Sequence, residues 1–117
     1  MSAVLGRPLA ADVQVRYAHV GGIDTARARI VVVPWLTPGV AAMTLGRFIL
    51  VRRGHQGSVP LLAHELVHVE QWRQTGALRF LTQYTGAYLR GRRAGLGHWD
   101  AYRAIPFEQE ARVRTGT

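Results

Sequence analysis

The sequence predicts an α+β fold: a small antiparallel or mixed sheet of about three strands, then three to four helices. Three observations carry this. Segments rich in β-branched residues, such as "RARIVVVP", fill the first half of the chain and are bounded by Pro and Gly. After Ser58 the apolar spacing changes to three- and four-residue steps. The length of 117 residues, with 48 % hydrophobic and 19 % charged residues, suits one modest core, so residues 1–117 are read as a single domain.

Taken in order, "DVQVRY" alternates and reads as a first strand, with a turn at Gly21-Gly22-Ile23-Asp24. "RARIVVVP" is a second strand, stopped by Pro34, which has no N–H for a sheet ladder. After a turn at "TPG", "AMTLGRFILVR" reads as a third strand, with Gly46 marking a bulge or a close backbone approach. Ser58 can cap a helix over 59–75 that has Pro60 in its first turn and Gly76 at its end. A second helix suits 77–92, where Leu78, Leu81, Tyr84, Tyr88 and Leu89 recur, and a short helical turn follows around Trp99 to Arg103. Pro106 then opens a last helix that runs to about Arg114.

Composition removes several functions. With no cysteine there are no disulfides, thiol nucleophiles, iron–sulfur clusters or cysteine-type zinc fingers, so a metal must bind through imidazole and carboxylate. The net charge is +8 and all fifteen basic residues are arginine, which favours acidic or phosphate-rich partners. The arginines are nevertheless spread along the chain, and no aromatic residues alternate with them, which argues against a nucleic-acid platform. Residues 30 to 51 are apolar enough to mimic a membrane span, but Pro34, Pro38, Gly39, Gly46 and Arg47 interrupt them. Two buried strands joined by a Pro-Gly turn fit better. The first nineteen residues lack the layout of a signal peptide, so the expectation is a soluble, cytoplasmic protein.

The chemistry concentrates in "LLAHELVHVEQW", residues 61–72. His64 and His68 are four apart on a helix, which brings their side chains within about 5–6 Å on one face. Two imidazoles at that spacing can ligate one zinc ion at about 2.0–2.1 Å each. Glu65 then lies beside the metal, placed to take a proton from an activated water. This is HExxH, a zinc metallopeptidase signature. The extension that would add a glycine and a third histidine is absent, because Gln71 and Gln74 occupy those places. A third ligand must come from farther along the chain. His98 is one source, and "IPFEQEAR" is the better one. Glu108 and Glu110 point about 200° apart on their helix, so only one can reach a metal, and periodicity does not choose between them.

"LLAHELVHVEQW" and "IPFEQEA" resemble the gluzincin side of the zincin metallopeptidases, and most closely the small bacterial minigluzincin-like domains of the DUF4157 type. The resemblance extends upstream through "AMTLGRFILVRRGHQGSVPLLAHEL", covering residues 41 to 75 well and 102 to 112 more loosely. It implies a zincin-like fold and zinc-dependent peptide hydrolysis. It also implies His64, His68 and Glu108 as ligands, Glu108 because Ala111 completes an ExxA pattern, with Glu65 as general base. The substrate it implies is a peptide or protein, docked along "MTLGRFILV" by edge addition. Relatives often carry an aspartate after that alanine to support a ligand histidine, and Arg112 stands there in this chain. An oxyanion-stabilising group can come from Tyr84, Tyr88, His98 or Tyr102, none of which sits in a selecting motif. Two rival readings are a zinc-binding interaction module that no longer cuts, and a basic nucleic-acid binder with structural histidines. Oligomeric state leaves no mark in the sequence.

Overall fold

The computed structural model describes residues 6–116. Strand β1 (Arg7–Pro8) leads into helix α1 (Ala11–Gln14), a 3-10 turn (Val15–Tyr17) and helix α2 (Gly22–Arg27). Strands β2 (Arg29–Val33), β3 (Ala42–Leu45) and β4 (Phe48–Arg52) follow, and then helices α3 (Val59–Thr75), α4 (Ala77–Arg93), α5 (His98–Arg103) and α6 (Pro106–Thr115). The class is α+β, with one mixed four-stranded sheet in the order β1-β2-β4-β3. β2 and β4 are parallel, Arg29 opposite Phe48 through Val33 opposite Arg52, and the other pairs are antiparallel. The sheet has four strands rather than about three, and only the segments expected at 27–34 and 42–52 contribute to it, together with Arg7–Pro8.

Three segments differ from the sequence reading. Residues 12–17, expected as a strand, are helical. Val13 and Tyr17 are four apart and reach the core from one helix face, and Tyr17 is 1 % exposed. Alternation over six residues cannot exclude that spacing. The turn expected at 21–24 opens α2, where the Asp24 and Thr25 amides donate to the Gly21 carbonyl. The single strand expected over 42–52 is a hairpin, with Leu45 opposite Phe48 and Gly46 at φ +65° in a two-residue turn. As a result the Pro38-Gly39 turn joins no neighbouring strands. The chain leaves β2, makes the sheet edge as β3 and returns as β4 between them. The N-terminal segment read against a signal peptide lies partly outside the described residues. No helix among the described residues is long and apolar enough to cross a membrane.

Helix α3 has the bounds that its caps require. The Ser58 hydroxyl accepts from the Leu61 amide, Pro60 sits in the first turn, and the Gly76 amide closes on the Trp72 carbonyl at φ +90°. From Glu65 to Trp72 every residue of α3 is buried. Leu62, Leu66, Val67 and Val69 meet Ile49 and Val51 of β4 and Ala111 of α6 in the core. Burying a side chain of this size stabilises by about 1.5–3 kcal/mol, so α3 is fixed from several sides. The leucine stripe of α4 faces outward, with Leu78 81 % exposed, whereas Phe80 is buried and stacked on Trp72 at 4.6 Å. Phe80 also packs on Phe107 at 4.6 Å, joining α3, α4 and α6.

Candidate metal centre

The face of α3 that carries His64 and His68 meets α6, whose Ala111 side is seated against the core. That seating brings Glu108 over both histidines. Its carboxylate oxygens lie 2.9 Å from His64 Nε2 and 3.0 Å from His68 Nε2, and the two Nε2 atoms are 3.2 Å apart. Glu65, on the adjacent face of α3, is buried, with an oxygen within 4.8 Å of ligand atoms on both histidines. The Thr44 hydroxyl of β3 donates to Glu65 Oε1 at 3.0 Å, so the sheet edge holds this carboxylate.

Glu110 goes elsewhere. It accepts from Gln71 Nε2 at 2.7 Å, and the same amide group donates to the Phe107 carbonyl at 3.0 Å. Two acceptors on one side fix the orientation of the Gln71 amide. Its Oε1 therefore faces His68 Nδ1, 2.7 Å away, and that nitrogen must carry the proton. In neutral His68 the lone pair is then on Nε2, aimed at Glu108 and at His64.

Atoms packed this closely need a shared proton or a metal cation among them. Four-coordinate zinc with bonds of about 2.0–2.1 Å has ligand–ligand edges of about 3.3 Å. The separations of 2.9, 3.0 and 3.2 Å fall just inside that figure, so the donor set fits a small divalent cation such as zinc in both chemistry and size. Without a metal a proton must serve. Burial opposes charging His68, but Glu108, and next Glu65, outweigh burial and raise its pKa. Burial likewise works to raise the Glu108 pKa, and hydrogen bonds from His64, His68 and Tyr84 overcome it and hold the carboxylate well below the usual range. Burial raises the Glu65 pKa, offset in part by His68, His64 and Thr44, which makes Glu65 a stronger proton acceptor than an exposed glutamate.

The other predicted residues divide. The Tyr84 hydroxyl donates to Glu108 Oε2 at 2.6 Å. Burial and then Glu108 push its pKa up, and burial with Glu108 does the same to Tyr102. Both phenols stay protonated beside the site. Tyr88 and His98 pair with each other at 2.8 Å, and His98 is exposed and outside the cluster. Arg112 donates to the Arg103 carbonyl and does not take the place of a supporting aspartate. Gln71 supplies that support. In the sequence Gln71 stands only where the glycine of a longer motif would be, and its i, i+3 spacing from His68 is the signal that points to this role. Thr44 offered no signal, because it reaches Glu65 only through the fold.

The family model of the eCIS core domain, the DUF4157 family, matches residues 8–76, more than half of the chain. No curated protein and no solved structure matches. The matched span holds the sheet from Pro8 onward, His64, Glu65 and His68, while Tyr84 and Glu108 lie beyond it.

Proposed function

We propose that this chain, which belongs to the eCIS core domain family, is a zinc-dependent peptidase of gluzincin type. The reading rests on one observation: the Nε2 atoms of His64 and His68, the latter held as the lone-pair side by Gln71, converge with the Glu108 carboxylate at zinc-site spacing, and Glu65 lies beside them. His64, His68 and Glu108 would hold the ion. When bound, zinc polarises a carbonyl and lowers the pKa of a water at its open position.

Glu65 takes a proton from the attacking water as the water oxygen bonds to the peptide carbonyl carbon. It returns that proton to the amine nitrogen as the C–N bond breaks, leaving a carboxylate and an amine. Thr44 holds Glu65 in line for both transfers. Gln71 keeps His68 in the tautomer that presents Nε2. Tyr84 steadies Glu108, and Tyr102 brings a second phenolic O–H beside the same carboxylate. β3 is the sheet edge beside Glu65, so an extended peptide can pair with it through backbone hydrogen bonds.

The test combines metal analysis with hydrolysis of an unstructured peptide library. The parent should carry one zinc per chain and cut. Glu65→Gln should keep the zinc and lose cutting, and His64→Ala should lose both. Stoichiometric zinc with no hydrolysis of any peptide would favour the non-cutting interaction module instead.

A further inference from the structure

The face of α3 that carries Glu65 continues toward the helix C-terminus. Val69 and Trp72, four and seven residues on, lie within about 40° of Glu65 around the axis. There they line a recess of about 130 Å³ with Gly46 and Arg47 of the β3–β4 turn, Arg27 at the end of α2, and Arg73. The recess thus sits at the β3–β4 turn, just past the end of β3 that carries Thr44.

Its charge is one-sided. Of the three arginines, only Arg73 has a carboxylate partner, Asp24, at 2.6 Å. Among the described residues no ion pair engages Arg27, Arg47 or the adjacent Arg29. Backbone carbonyls take up part of this surface, because Arg47 Nε donates to the Arg27 carbonyl and Arg29 Nη1 to three carbonyls closing α2. Those bonds leave the net charge in place, and the Arg27 guanidinium makes no hydrogen bond among the described residues. Desolvation, and then the like charges of Arg29 and Arg27, lower the Arg47 pKa. Trp72, lining the same recess, has a buried indole N–H without an acceptor, and buried donors of this kind normally find one.

We infer that this recess is an acid-selective subsite, which takes the carboxylate side chain of a peptide lying along β3, a few residues from the scissile bond. The inference rests on the peptidase reading for the placement of the peptide, and on the unpaired arginines for its chemistry. A carboxylate matches the planar fork of a guanidinium, brings an acceptor toward Trp72, and neutralises charge that no side chain of the described residues meets.

Direct binding separates this inference from cleavage. In the Glu65→Gln background, labelled peptide pairs with Glu or Gln at successive positions on either side of the central bond are titrated by fluorescence anisotropy. At one position Glu should bind about tenfold tighter than Gln, with the preference falling as salt rises. Arg27→Gln with Arg47→Gln should bring the ratio within about twofold. Arg47→Glu should turn the preference toward an Arg-bearing peptide, a gain that misfolding cannot produce. A ratio near one in the parent background, or a preference that survives the double substitution, overturns the subsite. If the preference depends on Arg47 while no peptide is ever cut by the unsubstituted chain, the subsite stands and the peptidase reading falls.

Discussion

Helix α3 has two polar faces of similar burial and opposite character. One meets α6, and it brings His64, His68 and Glu108 together with electron-rich atoms facing one another. The other meets the N-terminal segment and the end of α6. There Asp24 takes two bonds from Arg73, and Glu70 accepts from Arg114 and the Gly21 amide. In the second seam every acceptor has a donor, so its function is complete once the chain is folded. In the first seam a shared proton or a cation can serve the same atoms, because three metal-ligating side chains meet at one point. Burial and polarity do not tell a site from a structural seam, whereas convergence of several metal-ligating atoms on one point does.

The contrast can be broken by experiment, and the largest effect belongs to Glu65. Glu65→Gln should cut peptide hydrolysis by about a thousandfold, the usual scale of a positioned general base, with zinc content unchanged. His64→Ala should remove the zinc and the stabilisation linked to it, about 4 kcal/mol at a thousand times the dissociation constant. Adding zinc should then no longer raise its melting temperature. Gln71→Leu frees the His68 tautomer and should weaken zinc binding about 10- to 100-fold, measured by competition with a chelator.

In the complete seam the readout is reversed. Arg73→Met leaves Asp24, which is 0 % exposed, without its counterion. A fully buried pair broken in this way costs about 3–5 kcal/mol. The Arg73 side chain is 33 % exposed, so about 2 kcal/mol is expected in denaturant unfolding, with zinc affinity unaltered. The smallest effect is Asp100→Asn, whose partner Arg103 is 3.7 Å away on the surface. It should shift stability by less than about 0.5 kcal/mol. If Arg73→Met weakened zinc as much as Gln71→Leu, the two faces would be one network and the contrast would fail.

Local signals carried much of this protein into view. Helix α3 runs as its cap, its proline and its terminating glycine require, because each acts within a turn of its own position. The last helix starts at its proline for the same reason. Short alternating segments carry less information. "DVQVRY" satisfies both periods, and packing of Tyr17 chose the helix. The glycine in "TLGRF" reads as a bulge or a close backbone approach within one strand, and the pairing of Leu45 with Phe48 makes it a turn instead.

The sequence by itself determined that the chain carries HExxH on a helix, and that without cysteine any metal must find nitrogen and oxygen ligands. Periodicity left Glu108 and Glu110 equivalent and only the resemblance pointed to Glu108, whereas the tertiary structure brings Glu108 against the histidines by seating Ala111 in the core. It also decided that Gln71 and Thr44 support the cluster, and that the arginines near Trp72 gather without acids. The physical reason is range. Caps and periodicity act over a few residues, whereas a convergence of lone pairs or of like charges exists only once distant segments share one core.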